Sequence, residues 1–134
     1  MEINEHIKHW LNLADEDLKA AKTMLANKHY LWSLFLCHLV IEKTLKAKYI
    51  EETEEILPPK SHNLLKLAEY CNLELDQEKR LLLFKINDFN IEARYPDYKS
   101  NLNKIADDKF TNYYYSEVLG ILKWIRQEMK YYQN

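Results

Sequence analysis

Ile7, Trp10, Leu11, Ala14, Leu18, Ala21 and Leu25 recur at steps of three and four residues, the spacing that lines one face of an α-helix. They predict a first helix of about six turns, with Asn4 as its N-cap. After Asn27-Lys28-His29 a second stripe runs through Leu31, Leu34, Phe35, His38, Ile41, Glu42, Leu45 and Tyr49, and Trp32, Leu36, Leu39 and Val40 broaden it. So wide an apolar surface marks a central helix. The acidic run Glu51-Glu52-Thr53-Glu54-Glu55 closes it, and Pro58-Pro59 prevents its continuation, because proline lacks the amide donor and restricts the residue before it.

Ser61 is expected to cap a short helix holding Leu64, Leu65, Leu67, Ala68 and Cys71. Asp76 is expected to cap another carrying Leu81, Leu82, Phe84, Ile86 and Phe89, with Pro96 as its far limit. From Arg94 to about Phe110 periodicity is weak and the chain reads as a long loop of the kind that is often either functional or mobile. Thr111 then caps a last helix with Tyr114, Val118, Ile121, Leu122, Ile125, Met129 and Tyr132 on its apolar face. No segment alternates with period two for long enough to predict a strand. The expected fold is all-α: an antiparallel bundle of about five helices, two long ones first, two shorter ones and a long last one. With 134 residues, one domain over 1–134 is expected.

Composition changes this picture only by exclusion. The 47% apolar and 30% charged content is that of a globular chain, and no apolar run reaches membrane-spanning length. A net charge of −2 and a pI near 6.2 argue against a broad phosphate-binding surface and leave room for a local basic groove. The single glycine, Gly120, excludes P-loops and dinucleotide-binding turns, which need several glycines at fixed offsets. No Glu is followed by His at the third position, as a di-iron bundle requires, and the spacing of Cys and His fits no zinc motif. Neither metal nor cofactor is expected. Cys37 and Cys71 read as two reduced, buried thiols, and the N-terminus lacks the form of a secretion signal, so a cytoplasmic setting is expected.

Two polar islands stand against the apolar pattern: Cys37-His38-Leu39-Val40-Ile41-Glu42-Lys43 within the central helix, and Ala93-Arg94-Tyr95-Pro96-Asp97. His38 and Glu42 lie one helical turn apart, close enough for the carboxylate to orient or charge the imidazole, as a satisfied core network or as a site. The Arg94 guanidinium could grip a phosphate or carboxylate bidentately, with Tyr95 as a stacking surface and Lys43 or Lys46 adding charge. Equally, Arg94 could tie its loop to Glu42 or Asp97 through an ion pair. His62 could orient the following helix through a backbone hydrogen bond or face a ligand.

Cys37-His38-x-x-Ile41-Glu42-Lys43-x-Leu45-Lys46-Ala47, Ser61-His62-Asn63-Leu64 and Ala93-Arg94-Tyr95-Pro96-Asp97 occur in the order, and at about the separations, seen in HEPN (higher eukaryotes and prokaryotes nucleotide-binding) domains. Trp10-x-x-x-Ala14-x-x-Asp17-Leu18-x-x-Ala21 resembles that family's first helix. The resemblance implies a helical bundle that forms homodimers, in a prokaryotic setting, often beside a minimal nucleotidyltransferase in a toxin–antitoxin pair. It also implies a metal-independent ribonuclease wherever an Arg is followed a few residues later by a His. This chain departs there: its arginines are Arg80, Arg94 and Arg126, its histidines are His6, His9, His29, His38 and His62, and every His precedes every Arg.

The expectation is therefore a non-catalytic HEPN module. It would bind a nucleotide-like or RNA ligand through His38, Glu42, Lys43, Arg94, Tyr95 and Asp97, and pair with a nucleotidyltransferase. The alternatives are a divergent ribonuclease, in which Arg94 stabilises the phosphate and His38 exchanges the proton, and a purely structural subunit.

Overall fold

The computed structural model describes residues 2–94 and 102–133, with residues 91–94 as backbone. Six α-helices follow one another: α1 (Ile3–Ala26), α2 (Tyr30–Thr53), α3 (Leu64–Tyr70), α4 (Gln77–Arg94), α5 (Leu102–Ile105) and α6 (Asp108–Gln127). A 3₁₀ turn, Lys130–Tyr132, comes last, and there is no strand among the described residues. The fold is the all-α antiparallel bundle that the periodicity predicts.

The helix α2 lies at the centre, packed against α1, α3, α4 and α6. That position explains its broad apolar pattern: Leu34, Cys37, Val40, Ile41, Leu45, Ala47 and Ile50 are all fully buried and cover most of its circumference. From α1 come Ile7, Leu11, Ala14 and Ala21, from α4 Leu83, Ile86 and Phe89, and from α6 Val118, Ile121, Leu122 and Ile125. Phe89 meets Tyr114 edge-on at 5.2 Å between centroids and Tyr114 meets Phe110 at 4.8 Å, which ties α4 to the start of α6. The connections between α1 and α2 are reinforced by the buried Ser33 hydroxyl, which donates to the Ala21 carbonyl at 2.9 Å.

With its one glycine inside α6, the chain ends helices on other residues in the left-handed region: Lys28 (φ 64°), Glu54 (φ 62°) and Asn72 (φ 56°). After α1, His29 N–H bonds to the Met24 carbonyl and Lys28 N–H to that of Leu25. After α3, Leu73 N–H bonds to Ala68 and Asn72 N–H to Glu69. Both are Schellman closures, which force the following chain to reverse.

The helix starts differ from expectation in three places. α1 begins at Ile3, so Asn4 lies inside it; Ile3 packs on the core and draws the helix out to itself. Asn63, not Ser61, caps α3, accepting from the amides of Leu65 and Lys66, while the Ser61 hydroxyl accepts from Asn63 N–H. Asp107 caps α6 through Phe110 N–H, and Thr111 is buried one turn further in. Asp76 caps α4 as expected, accepting from Lys79 N–H at 2.8 Å. α4 is a full 18 residues rather than a short helix. The stretch read as a loop from Arg94 to Phe110 contains α5, anchored by the buried Leu102, and the first turn of α6.

Candidate functional site

The polar island of α2 sits where the loop before α3 crosses toward α4. His38 has no exposed surface. Its Nε2 donates to the His62 carbonyl at 2.8 Å, and because a carbonyl only accepts, the ring proton is placed on Nε2. Nδ1 is left as an acceptor, 3.4 Å from the Asn90 side-chain amide. At 3.7 Å the Glu42 carboxylate is a neighbour of Nδ1 rather than its hydrogen-bond partner. Burial pulls the His38 pKa below the ordinary imidazole value, against the opposing pull of Glu42, so the ring is neutral.

Glu42, itself 5% exposed, is the hub. Its Oε1 accepts from His62 Nδ1 at 2.9 Å and its Oε2 from Lys46 Nζ at 3.1 Å, one turn along α2. Lys46 also lies over the Trp10 ring, 5.6 Å from its centroid, so its charge is held between the carboxylate and an aromatic face of α1. His62 therefore does two things: its main chain anchors the buried imidazole, and its side chain, 59% exposed, reaches the buried carboxylate from outside.

Beside this cluster lies a cavity of about 190 Å³ lined by His62, Asn63, Asn87 and Asn90. Asn87 bridges its walls: Oδ1 accepts from Leu64 N–H at 2.8 Å, and Nδ2 donates to Asn63 Oδ1 at 3.2 Å. The start of α3 is thereby fixed to α4, which holds His62 in place relative to Asn90.

The structure brings His38 and Glu42 together but encloses both, so they form the frame of the site rather than its surface. Both ring nitrogens of His38 face groups of this chain, Nε2 the His62 carbonyl and Nδ1 the Asn90 amide. Lys43 does not join the cluster; its ammonium bonds to Asp17 of α1 at 2.6 Å. Arg94 is the last residue of α4, four positions beyond Asn90. Tyr95 and Asp97 lie outside the described residues, as does the side chain of Arg94. Asn87 and Asn90 were not singled out by the pattern of the sequence; an Asn on a helix face looks like any solvated polar residue until the opposing loop is in place. Cys37 and Cys71 are buried, which pushes both thiols up to about 12, and neither is poised as a nucleophile. Among the described residues no group of three or more His, Cys, Asp or Glu side chains is arranged to hold a metal ion, and no helix is long and apolar enough to cross a membrane.

The molecule is an all-α bundle whose central helix carries a buried His–Glu–Lys cluster, closed by the loop of His62 and Asn63 and by Asn87 and Asn90 of the fourth helix. The family model described as HEPN domain matches residues 7–130, nearly the whole chain, and the protein belongs to that family. No curated protein and no solved structure matches it.

Proposed function

We propose that this protein is a non-catalytic HEPN module that binds a nucleotide-like anionic ligand at the α3–α4 cavity, dimerises, and serves a partner nucleotidyltransferase in a toxin–antitoxin-like pair. The observation that carries the binding reading is the small cavity beside the Glu42 cluster, walled by His62, Asn63, Asn87 and Asn90 and lying near the end of α4 that Arg94 closes. Its donors and acceptors are held in place by one another, as a preorganised binding site needs. The absence of an Arg-to-His sequence and the enclosure of His38 favour binding over cleavage. Dimerisation is supported by large apolar side chains left exposed on α4 and α6, Leu81, Phe84 and Tyr113 among them.

A thermal-shift titration of wild-type protein and Arg94→Ala against nucleotides and short RNA tests the reading. Ligand that binds only the native state stabilises it by roughly 2.7 kcal/mol at 100 times its Kd, a rise of several degrees for a domain of this size. One nucleotide class is expected to raise the wild-type Tm and to lose that effect in folded Arg94→Ala. A flat response to the whole panel overturns the ligand, and metal-free cleavage of the RNA overturns the non-catalytic assignment.

A further inference from the structure

We infer that His62 is the group of this site that touches the ligand, presenting Nε2–H of its imidazolium to a phosphate ester while Glu42 holds Nδ1. The inference rests on the nucleotide-like ligand proposed above and names the residue and the chemistry that would recognise it.

Three observations carry it. First, His62 is the exposed member of an otherwise buried cluster: its side chain is 59% exposed against 6% for Glu42 and 9% for Lys46. Second, its ring is oriented without being used up. Nδ1 is bound to Glu42 at 2.9 Å, Nε2 has no partner among the described residues, and His62 is one of the residues that line the cavity. A carboxylate on one imidazole nitrogen fixes the ring's plane and leaves the other nitrogen as a single directed donor or acceptor.

Third, the charges around it do not oppose an anion. From α2, His62 is faced by Glu42, by Lys46 and by the neutral His38, whose ring proton is fixed on Nε2. From the start of α3 and from α4 it is faced by the uncharged Asn63, Asn87 and Asn90. Lys46 already answers the single carboxylate. The fixed charges facing His62 therefore cancel, and a phosphate oxygen that meets Nε2–H at the mouth of the cavity meets no unpaired carboxylate there. Charge-assisted N–H···O contacts of this kind are the stronger hydrogen bonds in such sites.

The test is an NMR titration of the imidazole Cε1–H signals of the full chain, assigned through the backbone, with inorganic phosphate and then with AMP and a short RNA. Phosphate is expected to shift the His62 signal. The enclosed His38 serves as the internal reference and stays in place. His62→Gln is expected to weaken AMP or RNA binding roughly tenfold, the worth of one hydrogen bond to a charged group. A His62 signal indifferent to phosphate, or moved equally by chloride at the same ionic strength, overturns the inference. If AMP still stabilises the wild-type protein in that case, the binding function stands without His62. If phosphate moves His62 but neither AMP nor RNA binds, the anion site stands and the nucleotide reading falls. The wild-type titration decides the matter even if His62→Gln fails to fold.

Discussion

Glu42 and Glu51 are both largely buried carboxylates on α2, and they are satisfied in opposite ways. Glu51 accepts from two main-chain amides, Lys130 N–H at 2.9 Å and Tyr131 N–H at 2.8 Å, with Lys48 3.8 Å away. Its partners are fixed by the chain itself, and the result is a clamp that holds the final 3₁₀ turn to the bundle. Glu42 takes both of its bonds from titratable side chains, Lys46 from its own helix and His62 from a loop at the surface. Main-chain donors keep one state, whereas an imidazole with a free nitrogen can gain a proton or a ligand. The difference between the two glutamates is thus the difference between fastening a fold and building a site.

The sharpest break of this comparison is Glu42→Ala. It strands the buried Lys46 charge and frees His62, and losing one partner of a buried ionic cluster costs about 3–5 kcal/mol. Urea denaturation should show a loss of that size, with added solvent exchange at the start of α3. Glu51→Ala is expected to cost less, about 1–2 kcal/mol, because the amides it leaves are within reach of water and Lys48 keeps Glu52 at 3.1 Å. Hydrogen exchange should speed up at Lys130 and Tyr131 while the rest of the bundle stays protected; a global loss instead would mean that the clamp is part of the core.

The smallest effect expected is on the acid side and belongs to the Glu42 region alone. Burial holds the His38 pKa below its unfolded-chain value, so on acidification the unfolded chain takes up the proton first. The neutral ring therefore contributes its stability above about pH 6.5, and that contribution is lost as pH falls through the lower folded-state value. Between about pH 7.5 and pH 5.5 the wild-type Tm should fall more steeply than that of His38→Gln. Parallel profiles for the two proteins would show that His38 titrates alike in both states.

Much of this was legible beforehand because it rests on local rules. The 3.6-residue periodicity of Ile7 to Leu25 and of Leu31 to Tyr49, the stop at Pro58-Pro59 and the cap at Asp76 all act within a few residues of themselves. So does the placing of His38 and Glu42 one turn apart on the same face of a helix. The misplaced caps at Asn4, Ser61 and Thr111 show the limit of the same rules: several residues nearby could serve, and the packing of Ile3 on the core and the burial of Thr111 decided two of the three.

What the amino-acid order determined by itself is therefore the set of helices, the apolar stripes that assemble them and the presence of a polar pair inside the central one. Only the tertiary structure decided what that pair does. The loop before α3 brings His62 onto Glu42 from 20 positions away, and α4 brings Asn90 onto His38 from 52 positions away. Lys43, adjacent in sequence to Glu42, is turned by the helix toward Asp17 instead. Periodicity states which residues share a face of one helix, but it holds no information on which loop will cross that face. That choice depends on how α2, α3 and α4 pack around a common core.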